Sequence, residues 1–197
     1  MKAWQEIVKA KIRMQAGEVT DPARTRLKEI CKNVRSGDPT NLEAQAARVY
    51  WRAAFPLIYG EGERRDPESD SHFNVLLNYG YAIVRAAVAR AVVSAGLLPA
   101  LGVFHHRRDN PFCLADDLME PLRPLVDRAV AKMLAEERYL KESNLSQNER
   151  RELLGLLSHE AEQEGASGPL LAVLPRYVSS FYRLLKGKSS KLKFPTY

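Results

Sequence analysis

Two adjacent histidines followed by three acids within about one helical turn carry the clearest chemical signal in this sequence. In residues 102–124, GVFHHRRDNPFCLADDLMEPLRP, His105 and His106 stand just before Asn110-Pro111, a dipeptide suited to capping and starting a helix. On that helix Asp117 and Glu120, or Asp116 and Glu120, share a face, because residues three and four apart lie one above the other. Carboxylates crowded in this way repel one another unless the face is solvated, paired with basic groups or occupied by a cation. Imidazole beside carboxylates suits a divalent ion that accepts mixed nitrogen and oxygen ligands, such as Mg²⁺ or Mn²⁺ with bound waters.

The elements that must position these residues read as helices. Residues 2–16 place Trp4, Ile7, Val8 and Ile12 on one apolar stripe, with Lys9, Lys11 and Arg13 assigned to the opposite, basic face. Asp21-Pro22 starts a second helix through Leu27, Ile30 and Val34 that ends at Ser36-Gly37. Thr40-x-x-Glu43 is a capping-box pattern opening a third. Glu43 also aligns with Ala46, Ala47, Tyr50 and Ala54 on the apolar face, and an acid there needs a partner. A loop rich in Gly, Pro and charge (59–71) leads to the longest apolar stretch, 72–95, which reads as the central buried helix. Asn74, Asn78, Tyr81 and Arg85 form one polar stripe on it, either a solvated edge or a wall facing Glu43 and the histidine segment.

Pro121 and Pro124 predict a kink just after Glu120. Amphipathic periodicity resumes over 125–139, and Ser146-x-x-Glu149 is a second capping box, opening a helix that Gly165 is expected to stop. A last helix runs from about Pro169 to Gly187. No acid follows Glu164, so 188–197 is expected to be a flexible basic tail after a helical domain spanning 1–187. The sequence has no convincing strand alternation, internal repeat, Gly-rich phosphate loop or HExxH.

With 197 residues, 45% of them hydrophobic, the chain is long enough to bury a real core, and disorder is not the default reading. A net charge of +6 raises the odds of an anionic partner, nucleic acid first. The two cysteines, Cys31 and Cys113, match no metal-knuckle spacing and are expected to be reduced, as in a cytoplasmic protein. No signal peptide or membrane span is expected, and no membrane partner.

The run LNYGYAIVRAAVARAVVSAGLLPALGVFHHRRDNPFCLADDLMEPLRPLVD (from Leu77) resembles the core of the CRISPR-associated integrase of spacer acquisition, the "Cas-one" family, in its type II variant. NLEAQAARVYW (41–51) resembles the glutamate motif of that family, and the resemblance extends over almost the whole chain. It implies an all-α catalytic domain, a multi-helix bundle like the family's C-terminal domain, holding one divalent metal through a glutamate, a histidine and a second acid. Position by position these are Glu43, His105 and Glu120. His105 is preferred to His106 because only His105 keeps the family's spacing to Asn110-Pro111. Asp117 is expected close to the metal or bonded to one of its ligands, and Asp116 is the weaker helper. The family's separate β-rich N-terminal domain is expected to be absent from this chain.

The implied reaction is transfer of a DNA 3'-hydroxyl onto a backbone phosphodiester of the repeat array, with nicking when water attacks instead. Mg²⁺ or Mn²⁺ polarises the phosphate in such a reaction. His105 is expected as a metal ligand or a proton shuttle. Arg48, Arg85, Arg107 and Arg108 are candidate phosphate holders, with Asn78 and Tyr81 beside them. Implied partners are double-stranded and branched DNA, a small protein called "Cas-two", and a second copy of the chain. Two other classes compete. An all-α phosphohydrolase needs an adjacent His-Asp pair, which His72 and His159 do not supply. A catalytically idle helical fragment that binds DNA or protein is the stronger alternative.

Overall fold

The computed structural model describes residues 2–56, 62, 64–136 and 144–197. Among them the chain forms helices α1 (Lys2–Gly17), α2 (Ala23–Asn33), α3 (Leu42–Ala54), α4 (His72–Ser94), α5 (Cys113–Met119), α6 (Arg123–Ala135), α7 (Gln147–Gly155) and α8 (Leu170–Leu185). Single 3₁₀ turns join α5 to α6 (Glu120–Leu122) and follow α7 (Leu156–Ser158). The architecture is an all-α bundle carrying one small hairpin.

Helix α4 is the axis. Its apolar residues face nearly all round, and Phe73, Leu76, Leu77, Val84, Val88 and Val92 are buried against α5, α6, α7 and α8. By length and composition α4 is apolar enough to cross a membrane; here its surface is largely taken up by its neighbours in the core. Gly80 lets α6 approach, since a Cβ there would meet Val126 Cγ1 at 2.4 Å. Helix α1 lies across the other side, burying Trp4, Ile7, Val8 and Ile12 against α2, α3 and the Glu120–Leu122 turn.

The proline-induced break falls where it was expected: α5 stops at Met119, Pro121 sits in the 3₁₀ turn, and α6 restarts at Arg123. The second capping box is formed in full, with Glu149 N–H donating to Ser146 Oγ and Ser146 N–H to Glu149 Oε2. Three expectations need correction. Thr40 does not pair with Glu43 in a capping box. Instead Asn41 accepts from Ala44 N–H, and the Asp38 carboxylate accepts from the N–H groups of Leu42 and Glu43, which frees the Glu43 side chain. Gly165 does not stop a helix. The helical path ends at Ser158, and Glu160–Gln163 pairs antiparallel with Ala166–Pro169 through a two-residue turn in which Glu164 and Gly165 have φ of 52° and 79°. At four residues each, these strands are too short to show a period.

The third correction concerns the C-terminal stretch. Residues 188–197 fold back on the body: Thr196 exchanges backbone hydrogen bonds with Glu162 (2.8 and 2.9 Å), and Leu192 N–H donates to Glu6 Oε2 at 2.6 Å. The Tyr197 hydroxyl donates to the Pro121 carbonyl at 2.9 Å. The lysines of this stretch are carried on an anchored segment, not on a loose arm.

Candidate functional site

Three stretches far apart in sequence meet beside the 3₁₀ turn. Helix α3 presents Glu43, the turn presents Glu120, and α1 inserts Lys11 between them. The Lys11 ammonium lies 2.6 Å from Glu43 Oε1 and 2.5 Å from Glu120 Oε2. Lys11 was assigned to the solvent face of α1, where Arg13 does point; the bundle turns it inward because α3 and the turn pack on that side. On its other oxygen, Oε1, Glu120 accepts from Arg123 Nε at 2.8 Å. Burial alone would raise the Glu120 pKa, but Arg123 and then Lys11 outweigh it and bring it down to about 2. Burial would likewise lower the Lys11 pKa, yet Glu120 and Glu43 hold it above its ordinary value. Glu120 Oε2 is buried, and its contact is the Lys11 ammonium at 2.5 Å.

His105 sits at the rim, in a loop built around Asp117. The Asp117 carboxylate, fully buried, accepts from the backbone N–H groups of Val103 (2.5 Å), Phe104 (2.9 Å) and His105 (3.4 Å). It also meets His105 Nδ1 at 2.6 Å. The contact with the carboxylate puts a proton on Nδ1, and in the neutral ring Nε2 then keeps its lone pair. Gly102 is needed for this wrap, because a Cβ there would come within 2.2 Å of the His105 carbonyl and 2.9 Å of Asp117 Oδ2. The hydrogen bond to Asp117 raises the His105 pKa against partial burial, and the charges of Glu120 and Glu43 add to the rise, which places the ring in the field of both acids. Phe104 stacks on buried Trp4 with centroids 4.4 Å apart, and Trp4 meets the His105 ring edge-on at 5.9 Å.

Of the two roles foreseen for Asp117, the geometry gives the second: it bonds to a candidate ligand. Asp116 pairs with Asn110 Nδ2 at 2.7 Å and lies 4.0 Å from Arg85. Exposed His106 turns away from the acids and lines a separate groove with Arg107 and Arg108.

An open groove of about 560 Å³ runs past His105. The polar stripe of α4 forms its wall, through Asn78, Tyr81 and Arg85, and Arg65, Arg107 and Arg123 complete it. Tyr81 is the pivot: its hydroxyl donates to buried Asp127, while the guanidinium of Arg123 lies over its ring 4.6 Å from the centroid. Arg65 bonds to Asn74 (2.9 Å) and Asn78 (2.7 Å). Burial pushes the Asp127 carboxyl up to about 7. Arg108 borders the adjoining groove, and exposed Arg48 on α3 lines neither groove. Sequence reasoning missed Lys11, Arg123, Arg65 and Asp127. Only Arg123 carried a signal, its i, i+3 spacing from Glu120.

Glu43 and Glu120 are therefore brought to one cation, while His105 lines the groove that Arg123, the partner of Glu120, also lines. As the side chains stand, no three His, Cys, Asp or Glu groups among the described residues close around a single point. The donor types nevertheless suit a hard divalent ion: two carboxylates already sharing a cation, and an imidazole oriented by a carboxylate through its other nitrogen, as metal-ligating histidines commonly are.

Residues 2–164 match the model of a family described as CRISPR associated protein Cas1. The CRISPR-associated endonuclease Cas1 of Neisseria meningitidis serogroup C (strain 8013) is 41% identical over 197 residues, covering 98% of this chain and 62% of that protein. Among solved structures, a casposase bound to integration product superposes with a TM-score of 0.78 at 23% identity, over 97% of this chain and 62% of that one. A Cas6-RT-Cas1–Cas2 complex superposes with a TM-score of 0.76 at 20% identity, over 96% of this chain and 24% of that one. These structural likenesses bear on the fold.

Proposed function

Because the chain belongs to the CRISPR-associated Cas1 family, we propose that it is a helical catalytic portion of an adaptation integrase and endonuclease, which joins a DNA 3'-hydroxyl to a backbone phosphodiester of the repeat array. Glu43, His105 and Glu120 hold Mg²⁺ or Mn²⁺ in this reading. What supports it is the convergence of Glu43 and Glu120 on one ammonium, with a carboxylate-tied imidazole on an arginine-lined groove that Arg123, the partner of Glu120, also lines.

Glu43, His105 and Glu120 would hold a divalent ion here, which would supply polarisation of the phosphate and stabilisation of charge on the leaving oxygen. The chain supplies the rest. Arg85 and Arg107, both on the groove wall, seat backbone phosphates through paired N–H donors, and Arg65, held by Asn74 and Asn78, adds its charge to the same wall. His105 is fixed with its Nδ1 proton on Asp117, so that Nε2 serves as ligand or, outside the ligand set, takes the proton of the attacking hydroxyl. Contacts of this kind read the backbone rather than the bases, so affinity falls steeply with salt. Branched and double-stranded DNA are the proposed substrates, and a small Cas2 protein and a second copy of the chain the proposed partners. The chain spans 62% of the Neisseria meningitidis relative. That coverage keeps the alternative open: a helical fragment that binds DNA or protein without catalysis.

The test is Mn²⁺-dependent nicking of branched DNA by the 197-residue chain. Nicking that disappears in Glu43→Gln, Glu120→Gln and His105→Ala, while circular dichroism shows the fold intact, supports the enzyme. DNA binding without nicking, unaffected by chelator or by these substitutions, favours the scaffold.

A further inference from the structure

We propose that Lys11 is a positioning residue of the cation site: its ammonium holds the Glu43 and Glu120 carboxylates together as a resident cation, and a divalent ion enters by displacing it. The inference rests on the reading of Glu43 and Glu120 as metal ligands. It starts from geometry. One ammonium, with its side chain only 12% exposed, touches a carboxylate from α3 and another from the 3₁₀ turn, the two elements that pack on this side of α1.

Charge then decides what happens when a metal arrives. Lys11 and Arg123 together balance Glu43 and Glu120, so these four side chains sum to zero charge. A divalent ion added with Lys11 in place leaves two uncompensated positive charges in a buried site, which low dielectric penalises heavily. Displacing Lys11 halves that excess and frees the two oxygens it holds, Glu43 Oε1 and Glu120 Oε2, for the metal. Arg123 is the poorer candidate to leave. Its planar group is bonded to Glu120 Oε1 and packed over the Tyr81 ring, whereas Lys11 is a point charge on a four-carbon stem that swings away by rotamer changes alone. The liberated ammonium remains as an extra positive charge beside an anionic substrate. The arrangement also accounts for the acids being close without a metal: mutual repulsion would drive them apart, and the lysine cancels it.

The prediction concerns metal affinity, read by the free Mn²⁺ electron paramagnetic resonance signal during titration of the full chain. Lys11→Gln is expected to bind Mn²⁺ roughly tenfold to a hundredfold more tightly, the range over which neighbouring groups tune metal sites. Lys11→Arg, which keeps the charge, is expected to stay within a few-fold of the parent. A merely structural lysine would instead weaken binding when removed, so unchanged or weaker binding in Lys11→Gln overturns the proposal. Should that variant fold poorly, the unaltered chain provides a second test by amine acylation and mass spectrometry. Lys11 is expected to be protected without Mn²⁺ and labelled with it, and continued protection at saturating Mn²⁺ overturns displacement. Mn²⁺ binding that survives Glu43→Gln and Glu120→Gln alike overturns the cation-site reading itself, a different result from either.

Discussion

Asp117 and Glu120 stand one turn apart, both buried, yet they are held in opposite ways. Asp117 is saturated by donors fixed to the backbone of the His105 loop and by His105 itself. Glu120 receives side-chain cations alone, Lys11 and Arg123. The first carboxylate is built into the fold and cannot be given up without unravelling a loop. The second is held by side chains, one of which, Lys11, can leave by turning about single bonds while Arg123 stays, which is what an exchangeable ligand needs. Adjacent acids on one turn thus divide into scaffold and site according to whether their donors are main chain or side chain.

Substitutions that erase this division should have the largest effect. Asp117→Ala leaves three part-buried N–H groups and an imidazole without their acceptor, and is expected to destabilise the chain by about 2–4 kcal/mol in urea unfolding. Gly102→Ala should come close to it, because the added Cβ runs into the His105 carbonyl. Glu120→Gln removes a carboxylate whose folded pKa, near 2, lies below the ordinary 4.5, so its contribution is present above pH 4.5 and is lost as pH falls toward 2. The expected loss at pH 7 is about 2–3 kcal/mol, smaller than for Asp117→Ala and fading in acid. A Glu120→Gln loss that matched Asp117→Ala and persisted at pH 3 would contradict the distinction.

Asp127 sharpens it from another side. Burial lifts its carboxyl to about 7 from 3.8, so the folded state keeps a proton that the unfolded chain releases. Stability from this group therefore falls as pH rises from about 4 to 7 and levels off above. Asp127→Asn should gain on the order of 1–2 kcal/mol at pH 8, and almost nothing below pH 4, as thermal melts at the two pH values will show. The smallest effect is expected from Tyr197→Phe, which loses one hydrogen bond to Pro121 and about 1 kcal/mol or less, with Mn²⁺ binding unchanged.

Much of this was legible in the residues. Helical periodicity gave the bundle, the prolines gave the break after Glu120, and the family motifs gave Glu43, His105 and Glu120, of which the structure brings the two acids to one ammonium with the histidine at the rim. Lys11 was not legible as part of the site. A lysine on an amphipathic helix ordinarily marks the solvent side, and only the packing of α3 and the turn against α1 shows otherwise. The Glu43 capping box failed because Asp38 and Asn41 supplied better-placed oxygens, a competition within one loop that a spacing pattern does not rank. The C-terminal stretch read as free because its partners, Glu6, Pro121 and Glu162, are distant in sequence. The hairpin was hidden by its brevity.

The central claim is that Glu43, His105 and Glu120 share a divalent ion. Anomalous diffraction from a crystal of the chain grown with Mn²⁺ tests it most directly. The account predicts one strong peak bonded to Glu43, Glu120 and His105 Nε2, with the Lys11 ammonium moved out of contact with both acids. A structure at saturating Mn²⁺ in which the ion binds elsewhere, while Lys11 still bridges Glu43 and Glu120, would contradict it.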